Sequence, residues 1–279
     1  MTSSPVTGVE PVLSEDQIAQ FHEQGYVIVK GALSREEADH YRRSIVSLFP
    51  PNLDLPATWG SYEGRIKPMA SADNHTFDTP ELLPLMTNEK LYRAASQLLE
   101  STALRVLDGS VGITFRNDAH PDQPLSQTLH IDASVPNSVD DFTFETRELQ
   151  VGGCYYLTDV EPNGGGIHVV PGGHKIVEAE ARAAGGGGRH LHQEWKQIKH
   201  LQSIEVTGEA GDFALLHHLM PHGASHNRKA TTRIAYFVRW VREDQTWGVG
   251  QKPEPGRYDQ AQLDAMGDFG RKLFGVEDW

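Results

Sequence analysis

Residues 203–241 read SIEVTGEAGDFALLHHLMPHGASHNRKATTRIAYFVRWV, and their pattern indicates the fold class. It holds three short runs rich in β-branched and aromatic residues, at Ser203–Val206, Phe213–His217 and Ile234–Val241. Glycine, proline and asparagine separate the runs, and no helical segment lies between them. Short runs joined by turns are typical of antiparallel strands. The stretch therefore predicts antiparallel β-structure.

The same pattern extends upstream as far as Leu104. Four further runs bring the total to seven strands, which predicts an antiparallel sandwich or barrel: Ser110–Phe115, Leu129–Ala133, Leu149–Leu157 and Ile167–Val170. Residues 178–200 are the exception, because an Ala/Glu-rich helix passes into the glycine run Gly185–Gly188. We interpret this segment as an insertion that could act as a lid.

Helices are predicted on both sides of the strand-rich region. Ser14 caps a helix to Gln24 with Gln17 in the capping-box position, and Ser34 caps a second helix that runs to about Phe49. Tyr26–Val29 is a strand between them. Further helices are expected at Glu89–Glu100 and Tyr258–Phe274.

One domain accounts for this order of elements. Residues 1–12 are expected to be a disordered lead, and residues 13–279 a single domain. Within it we distinguish a helical part at 13–103, a strand core at 104–245 and an extension at 246–279. The fold class is thus mainly β with flanking helices.

Charge and composition restrict the partners. The formal net charge of −13 argues against nucleic acid and against an anionic membrane surface, because both select basic proteins. No apolar run is long enough for a spanning helix. The single cysteine, Cys154, fits a reducing compartment, so a cytoplasmic location is expected.

His130 and Asp132 are the first candidates for chemistry. Residues i and i+2 of a strand point to the same face, about 7 Å apart along it. An imidazole and a carboxylate placed in this way can occupy two positions of one metal ion, and a third ligand would complete a 2-His-1-carboxylate face. The His-x-Asp pattern alone is more often a surface pair.

The third ligand is sought in the histidine-rich segment 217–227. His222, which precedes a glycine after a strand and a turn, is the preferred residue, with His218 in reserve and His226 next. Arg233 follows His222 by 11 residues (233 − 222), at the start of a strand. A guanidinium there suits bidentate capture of a small dicarboxylate, although a surface ion pair is the commoner role of an arginine.

Taken together, these landmarks resemble the phytanoyl-CoA dioxygenase-like family of iron(II)- and 2-oxoglutarate-dependent enzymes over nearly the whole chain. The resemblance rests on five ordered motifs: the opening Leu13–Ser34 segment, His130-Ile131-Asp132, Asn163-Gly164-Gly165, Pro171-Gly172-Gly173-His174-Lys175, and His222-Gly223 with Asn227 and Arg233.

The resemblance implies a double-stranded β-helix core, that is, a jelly-roll of the cupin-like type. It also implies that His130, Asp132 and His222 bind Fe(II), and that Arg233 anchors the far carboxylate of the cosubstrate 2-oxoglutarate. Thr114 and Arg116 alternate onto one strand face, where members of the family often place further cosubstrate contacts. The Pro171–His174 motif is expected to be chiefly a turn, with His174 and Lys175 structural.

One departure from the family pattern concerns the cosubstrate anchor. Family members often carry a hydroxyl two residues after the distal histidine, whereas this chain has Ala224 there and Ser225 beside it. Either Ser225 serves through a shifted turn or another group compensates.

The expected function is oxidation, foremost hydroxylation, of a C–H bond in a small-molecule substrate, with release of succinate and CO2. A non-catalytic metal-binding jelly-roll protein is the alternative, and a zinc hydrolase is a weaker one. Dependence on 2-oxoglutarate distinguishes these classes. The substrate and the oligomeric state are not encoded in any pattern that we recognise.

Overall fold

The computed structural model describes residues 10–48, 65–66, 76–118, 129–131, 144–183, 201–245 and 252–279. Residues 1–9 of the predicted lead at 1–12, the predicted ligand Asp132 and residues 184–200 of the predicted lid segment at 178–200 lie outside these ranges. Residues 10–12 are described, and the Val12 N–H donates to Gln97 Oε1 at 2.8 Å. The end of the predicted lead is therefore attached to the domain.

The helices and strands alternate as follows: α1 (Glu15–Gln24), β1 (Tyr26–Val29), α2 (Arg35–Ser47), β2 (Arg65–Ile66), α3 (Leu83–Met86), α4 (Glu89–Leu99), β3 (Leu104–Thr114), β4 (Gln150–Tyr156), β5 (Ile167–Val169), α5 (Gly173–Ala183), β6 (Ile204–Val206), β7 (Phe213–His217), β8 (His222–Ala224), β9 (Arg233–Arg242) and α6 (Gln260–Leu273). A kink at Gly267 interrupts α6, and a 3-10 turn lies at Thr146–Glu148. No helix in the described ranges is long and apolar enough to cross a membrane.

Two antiparallel sheets form the double-stranded β-helix that the resemblance implied. The larger has the order β1-β7-β4-β9-β3-β2 and the smaller the order β6-β5-β8. An isolated antiparallel bridge between His130 and His222 continues the smaller sheet past β8. The strand predicted at Leu129–Ala133 is described only up to Ile131.

The larger sheet is covered on both faces. On β7, Phe213 and Leu215 belong to the core shared with the helices, whereas Ala214 and Leu216 belong to the core between the two sheets. All five residues of β7 are buried, as expected of a strand with no solvent-facing side.

The predicted strand at Tyr26–Val29 is confirmed as β1, which pairs with β7 as an integral strand of the large sheet. Other local predictions need correction. The Pro171–His174 motif, predicted to be chiefly a turn, is a turn only at Pro171 and Gly172, because α5 begins at Gly173. Gly173 is buried, and a Cβ there would lie 2.8 Å from Pro221 Cδ, so this glycine permits the close approach of the segment before β8. β8 itself was not predicted.

Candidate active site

An open cavity extends through the barrel along β9, from Arg233 at the start of this strand to Arg239 near its end. Its described lining combines apolar side chains with histidines and arginines: Ser110, His130, Gln150, Gly152, Gly153, Ile167, Leu216, His217, His218, His222, Gly223, Ala224, Arg233, Phe237 and Arg239. A concave apolar site with a few polar groups is the usual form of a small-molecule pocket.

Backbone pairing brings His130 and His222 together in this cavity. Each N–H donates to the other residue's carbonyl oxygen at 2.8 Å. Directly paired residues of antiparallel strands project to the same side, and the two ring centroids are 4.5 Å apart with the planes inclined by 49°. Two imidazoles so placed can share one metal ion.

The orientation of the His222 ring is fixed by its own turn. Nδ1 lies 2.8 Å from the carbonyl oxygen of Met220. In metal-binding histidines a bond of this kind fixes the tautomer and leaves Nε2 as the ligand atom. Within the described ranges no three acidic, histidine or cysteine side chains form a metal-binding group, and Asp132 is outside those ranges.

Arg233 is buried inside the barrel, with 2% of its surface exposed. Its neighbours are weak partners for a charge: Nη2 lies 3.6 Å from Cys154 Sγ, and the guanidinium faces the rings of Tyr156 and Phe237 at 5.7 Å each. Nε has no hydrogen-bond partner among the described residues. Because a buried charge is costly unless it is paired, this arrangement suits a bound carboxylate.

Thr114 lies directly opposite Arg233, since the two are partners in the register of β3 and β9. Thr114 is 1% exposed, and within the described part of the chain its hydroxyl has no hydrogen-bond partner. Its methyl group packs beside Gly165, where a Cβ would lie 3.2 Å from Thr114 Cγ2. The Asn-Gly-Gly motif therefore borders the position of Thr114.

The structure does not bring Arg116 to the same place. It lies beyond the end of β3, is exposed, and pairs with Asp118 at 2.8 Å. It is absent from the described lining of the cavity. The prediction that Thr114 and Arg116 share a strand face fails because β3 ends at Thr114. Arg116 instead forms an isolated bridge with Asn227.

Ser225 does not replace the hydroxyl that the family pattern would place at position 224. Its Oγ donates to the carbonyl oxygen of Gly166 at 2.7 Å, and the side chain is buried. Ala224 lines the cavity in its place. Of the two alternatives left by the sequence, compensation by another group agrees with this geometry, and Thr114 offers a hydroxyl without a described partner directly opposite Arg233.

The reserve histidines occupy different surroundings. His218 lines the cavity and accepts a hydrogen bond from the Gln150 N–H at 3.2 Å through Nδ1. Burial lowers the pKa of His218 to about 3. His226 is half-buried and is not in the described lining. His168 and His174 are buried and contact Ser203 and the His22 carbonyl, as structural residues would.

Sequence reasoning missed three polar residues of the described lining, Ser110, Gln150 and Arg239. Gln150 lies on a strand that is otherwise apolar, which is the signal that could have identified it. Arg239 is six residues after Arg233 on β9, so the two side chains point to the same face of the strand. Because Arg233 was already assigned to the interior, the same assignment follows for Arg239.

Comparison with known proteins supports the fold and the family resemblance. Residues 21–235 match the family model described as phytanoyl-CoA dioxygenase. A phytanoyl-CoA dioxygenase from Arabidopsis thaliana is 19% identical over 262 residues, covering 85% of this chain and 92% of that protein.

Several solved structures share the fold. The carbocyclase SnoK from nogalamycin biosynthesis, described as non-heme and alpha-ketoglutarate-dependent, has a TM-score of 0.60 at 20% identity, over 87% of this chain and 90% of its own. The epimerase SnoN from the same biosynthesis has a TM-score of 0.57 at 19% identity, over 88% and 91%. HygX from Streptomyces hygroscopicus, solved with nickel and 2-oxoglutarate, has a TM-score of 0.54 at 15% identity, over 84% and 89%.

Proposed function

The chain belongs to the phytanoyl-CoA dioxygenase family, and from this premise we propose that it oxidises a C–H bond of a small-molecule substrate at an iron(II) ion held by His130, Asp132 and His222. It is an iron(II)- and 2-oxoglutarate-dependent enzyme, as its family is. Hydroxylation is the proposed form of the oxidation, and Arg233 with Thr114 is the proposed anchor of the cosubstrate.

The observation that carries the proposal is the buried Arg233 in the same cavity as the paired His130 and His222. A guanidinium with an unpaired Nε inside an apolar barrel fits the far carboxylate of a dicarboxylate. The two imidazoles fit a divalent transition metal. Related structures with nickel, iron or 2-oxoglutarate bound are consistent with both assignments.

The chain's own residues position the reactants. Arg233 would hold the cosubstrate through a charge-assisted pair, and the Thr114 hydroxyl, on the same face, would donate a further hydrogen bond. The Met220 carbonyl keeps the His222 ring oriented. Ile167, Leu216 and Phe237 line the cavity and limit the access of water.

Iron(II) and 2-oxoglutarate, when bound, supply the oxidising power. Of the two atoms of O2, one enters succinate as CO2 is released, and one enters the substrate as a hydroxyl. No nucleophilic side chain is needed for this chemistry, and the described polar lining consists mainly of histidines and arginines, with Ser110 and Gln150.

Succinate formation tests the proposal. Purified protein, reconstituted with Fe(II) without oxygen, is supplied with 2-oxoglutarate and O2, and succinate and bound iron are measured. We expect succinate from the wild type and loss of both iron and succinate in His222→Ala, with iron retained in His226→Ala.

Two results would contradict the assignment. Iron binding without any 2-oxoglutarate turnover would favour the non-catalytic metal-binding alternative. Full iron content in His222→Ala together with its loss in His218→Asn would move the distal ligand to His218.

A further inference from the structure

A second polar group lines the cavity at a distance from Arg233. Gln150 opens β4, and Arg239 lies near the end of β9. Gly152 is the register partner of Arg239, and a Cβ on Gly152 would lie 2.3 Å from Arg239 Cγ. The stem of Arg239 therefore lies across Gly152, and any side chain at position 152 would displace it.

Gln150 is the informative residue of this group. It is 1% exposed, and neither Oε1 nor Nε2 of its amide has a hydrogen-bond partner in the described part of the chain. Buried polar groups in native proteins are almost always paired. An unpaired amide on the wall of a cavity marks a place where a ligand supplies the missing donor and acceptor.

The cosubstrate anchored by Arg233 cannot be that ligand. Arg233 and Arg239 are six residues apart on one strand face (239 − 233), which separates their main chains by about 20 Å. A 2-oxoglutarate whose far carboxylate pairs with Arg233 would have its other carboxylate and its keto oxygen committed to the proposed metal site at His130 and His222. No carboxylate of the cosubstrate is then left for Gln150 and Arg239, so we assign this pair to a different molecule.

We propose that Gln150 and Arg239 form a substrate-binding subsite for an anionic oxygen group, either a carboxylate or a phosphate. The inference rests on the proposed function, because it assigns the ligand of this subsite as the molecule to be oxidised. Arg239 and Gln150 Nε2 donate to the anion, and Gln150 Oε1 accepts from a neighbouring hydroxyl or N–H of the substrate.

The surroundings support an anion rather than a neutral group. His218 lines the same part of the cavity: its Nδ1 accepts from the Gln150 N–H at 3.2 Å, and the nearby charge of Arg239 contributes to lowering its pKa. Burial is the main cause that lowers the pKa of His218 to about 3, so His218 is neutral near pH 7. Arg239 is then the charged side chain beside Gln150 in the described lining of the cavity.

Small probe molecules test the subsite in the protein loaded with Fe(II) and 2-oxoglutarate in the absence of oxygen. Propionate, methyl phosphate and the neutral propionamide are titrated by calorimetry. We expect propionate or methyl phosphate to bind more tightly than propionamide, and the tighter of the two anions identifies the substrate group.

Three variants locate the binding. Arg239→Met and the nearly isosteric Gln150→Glu should each raise the Kd of the anion about 10-fold or more, because a charge-assisted contact is lost or a like charge is added. Arg242→Met is the matched control: it lies on the same strand, pairs with Asp244 at 2.8 Å, and should leave the Kd unchanged.

The outcomes separate this inference from the proposed function. Intact 2-oxoglutarate binding with no anion binding, or an anion Kd that is the same in Arg239→Met and Arg242→Met, overturns the subsite. Equal affinity for propionamide and propionate overturns its anionic character. A wild type that fails to bind 2-oxoglutarate contradicts the proposed function, whereas anion binding that still depends on Arg239 supports the subsite.

Discussion

Arg233 lies inside the barrel beside a thiol and two aromatic rings, and we expect it to set the affinity for 2-oxoglutarate. Arg233→Lys keeps the charge but loses the planar fork that matches a carboxylate. We predict a rise of about 10-fold to 100-fold in the KM for 2-oxoglutarate, since a charged hydrogen bond contributes about 1.5–3 kcal/mol. Iron content should stay unchanged, because the histidine pair is intact.

Arg116→Ala tests the other guanidinium that the sequence offered. Its exposed side chain pairs with Asp118, so its removal should change the KM less than Arg233→Lys does. A larger effect at Arg116 would place the anchor there. Measuring succinate formation against 2-oxoglutarate concentration decides between the two.

His218 carries a prediction about acid stability. Burial lowers the pKa of His218 to about 3, below the value of about 6.5 in the unfolded chain. Between these values the unfolded state binds more protons than the native state. The stabilisation is therefore complete above about pH 6.5 and is lost as the pH falls towards 3.

At pH 5 this single group should reduce the free energy of unfolding by about 2 kcal/mol relative to neutral pH. Urea unfolding at both pH values measures it. His218→Asn, which keeps an acceptor for the Gln150 N–H, should have the smaller loss on acidification. The exposed His40→Asn should behave as the wild type does, and an identical acid dependence in all three proteins would refute the argument.

The residues of the site could be predicted from sequence to different extents. The positions of His222 and Arg233 follow from motif spacing, and the structure places both on the cavity. Arg116 could not be judged from alternation, because alternation holds only while the strand continues and β3 ends two residues earlier. Gln150 could be recognised only from the folded structure, because what distinguishes it is a buried side-chain amide without a hydrogen-bond partner in the described part of the chain.

At the scale of elements, Gly25 joins α1 to β1 in a conformation that few other residues adopt. Its φ is +79°, its N–H donates to the Phe21 carbonyl at 2.7 Å, and its carbonyl accepts from His217. A Cβ would lie 2.4 Å from both His174 Nδ1 and Met220 Cε. Gly25→Ala therefore combines an unfavourable φ with a collision.

We predict that Gly25→Ala destabilises the protein by about 2–5 kcal/mol, the sum of a left-handed backbone and overpacking. Gly31→Ala is the matched control, because its φ is +55° but no atom lies within 4 Å of the added Cβ. It should cost about 1–2 kcal/mol. Equal losses in denaturant unfolding would show that the contact with His174 and Met220 does not matter.

The elements that could be predicted were those with local signals. The N-caps at Ser14 and Ser34 located α1 and α2, and in the structure each serine belongs to a capping box, of which only the one at Ser14 was predicted. The start of α5 had no such signal, because a Pro-Gly-Gly sequence is typical of a turn. In the structure the helix begins at Gly173, which packs against Pro221. This contact joins residues that are distant in the chain, so no local sequence pattern indicates it.

At the scale of the whole molecule, the helical core joins segments from both ends of the described chain. One cluster of buried side chains extends from Leu13 through the outer face of the large sheet to Phe274. A second cluster lies between the sheets, and β4, β7 and β9 contribute to both. Shared strands couple the two cores, so the helices and the barrel should unfold together.

Trp279 tests this coupling, because it connects three elements and is not part of the described lining of the cavity. Its ring stacks on Tyr92 of α4 at 5.7 Å and meets Phe269 of α6 edge-on, and its Nε1 donates to the Leu104 carbonyl at the start of β3. Trp279→Ala removes these contacts at once. For a half-buried tryptophan we expect a loss of about 2 kcal/mol, somewhat below the cost in a full core.

In a thermal scan this loss should lower the Tm by about 4–8 °C in a single transition, while 2-oxoglutarate binding at the lower temperature is unchanged. Trp279→Phe keeps the stacking and loses only the hydrogen bond to Leu104, so its Tm should fall by less. An early transition that melts the helices and leaves the Tm of the barrel at the wild-type value would contradict the coupling. In that case the two cores would be energetically independent despite sharing β4, β7 and β9.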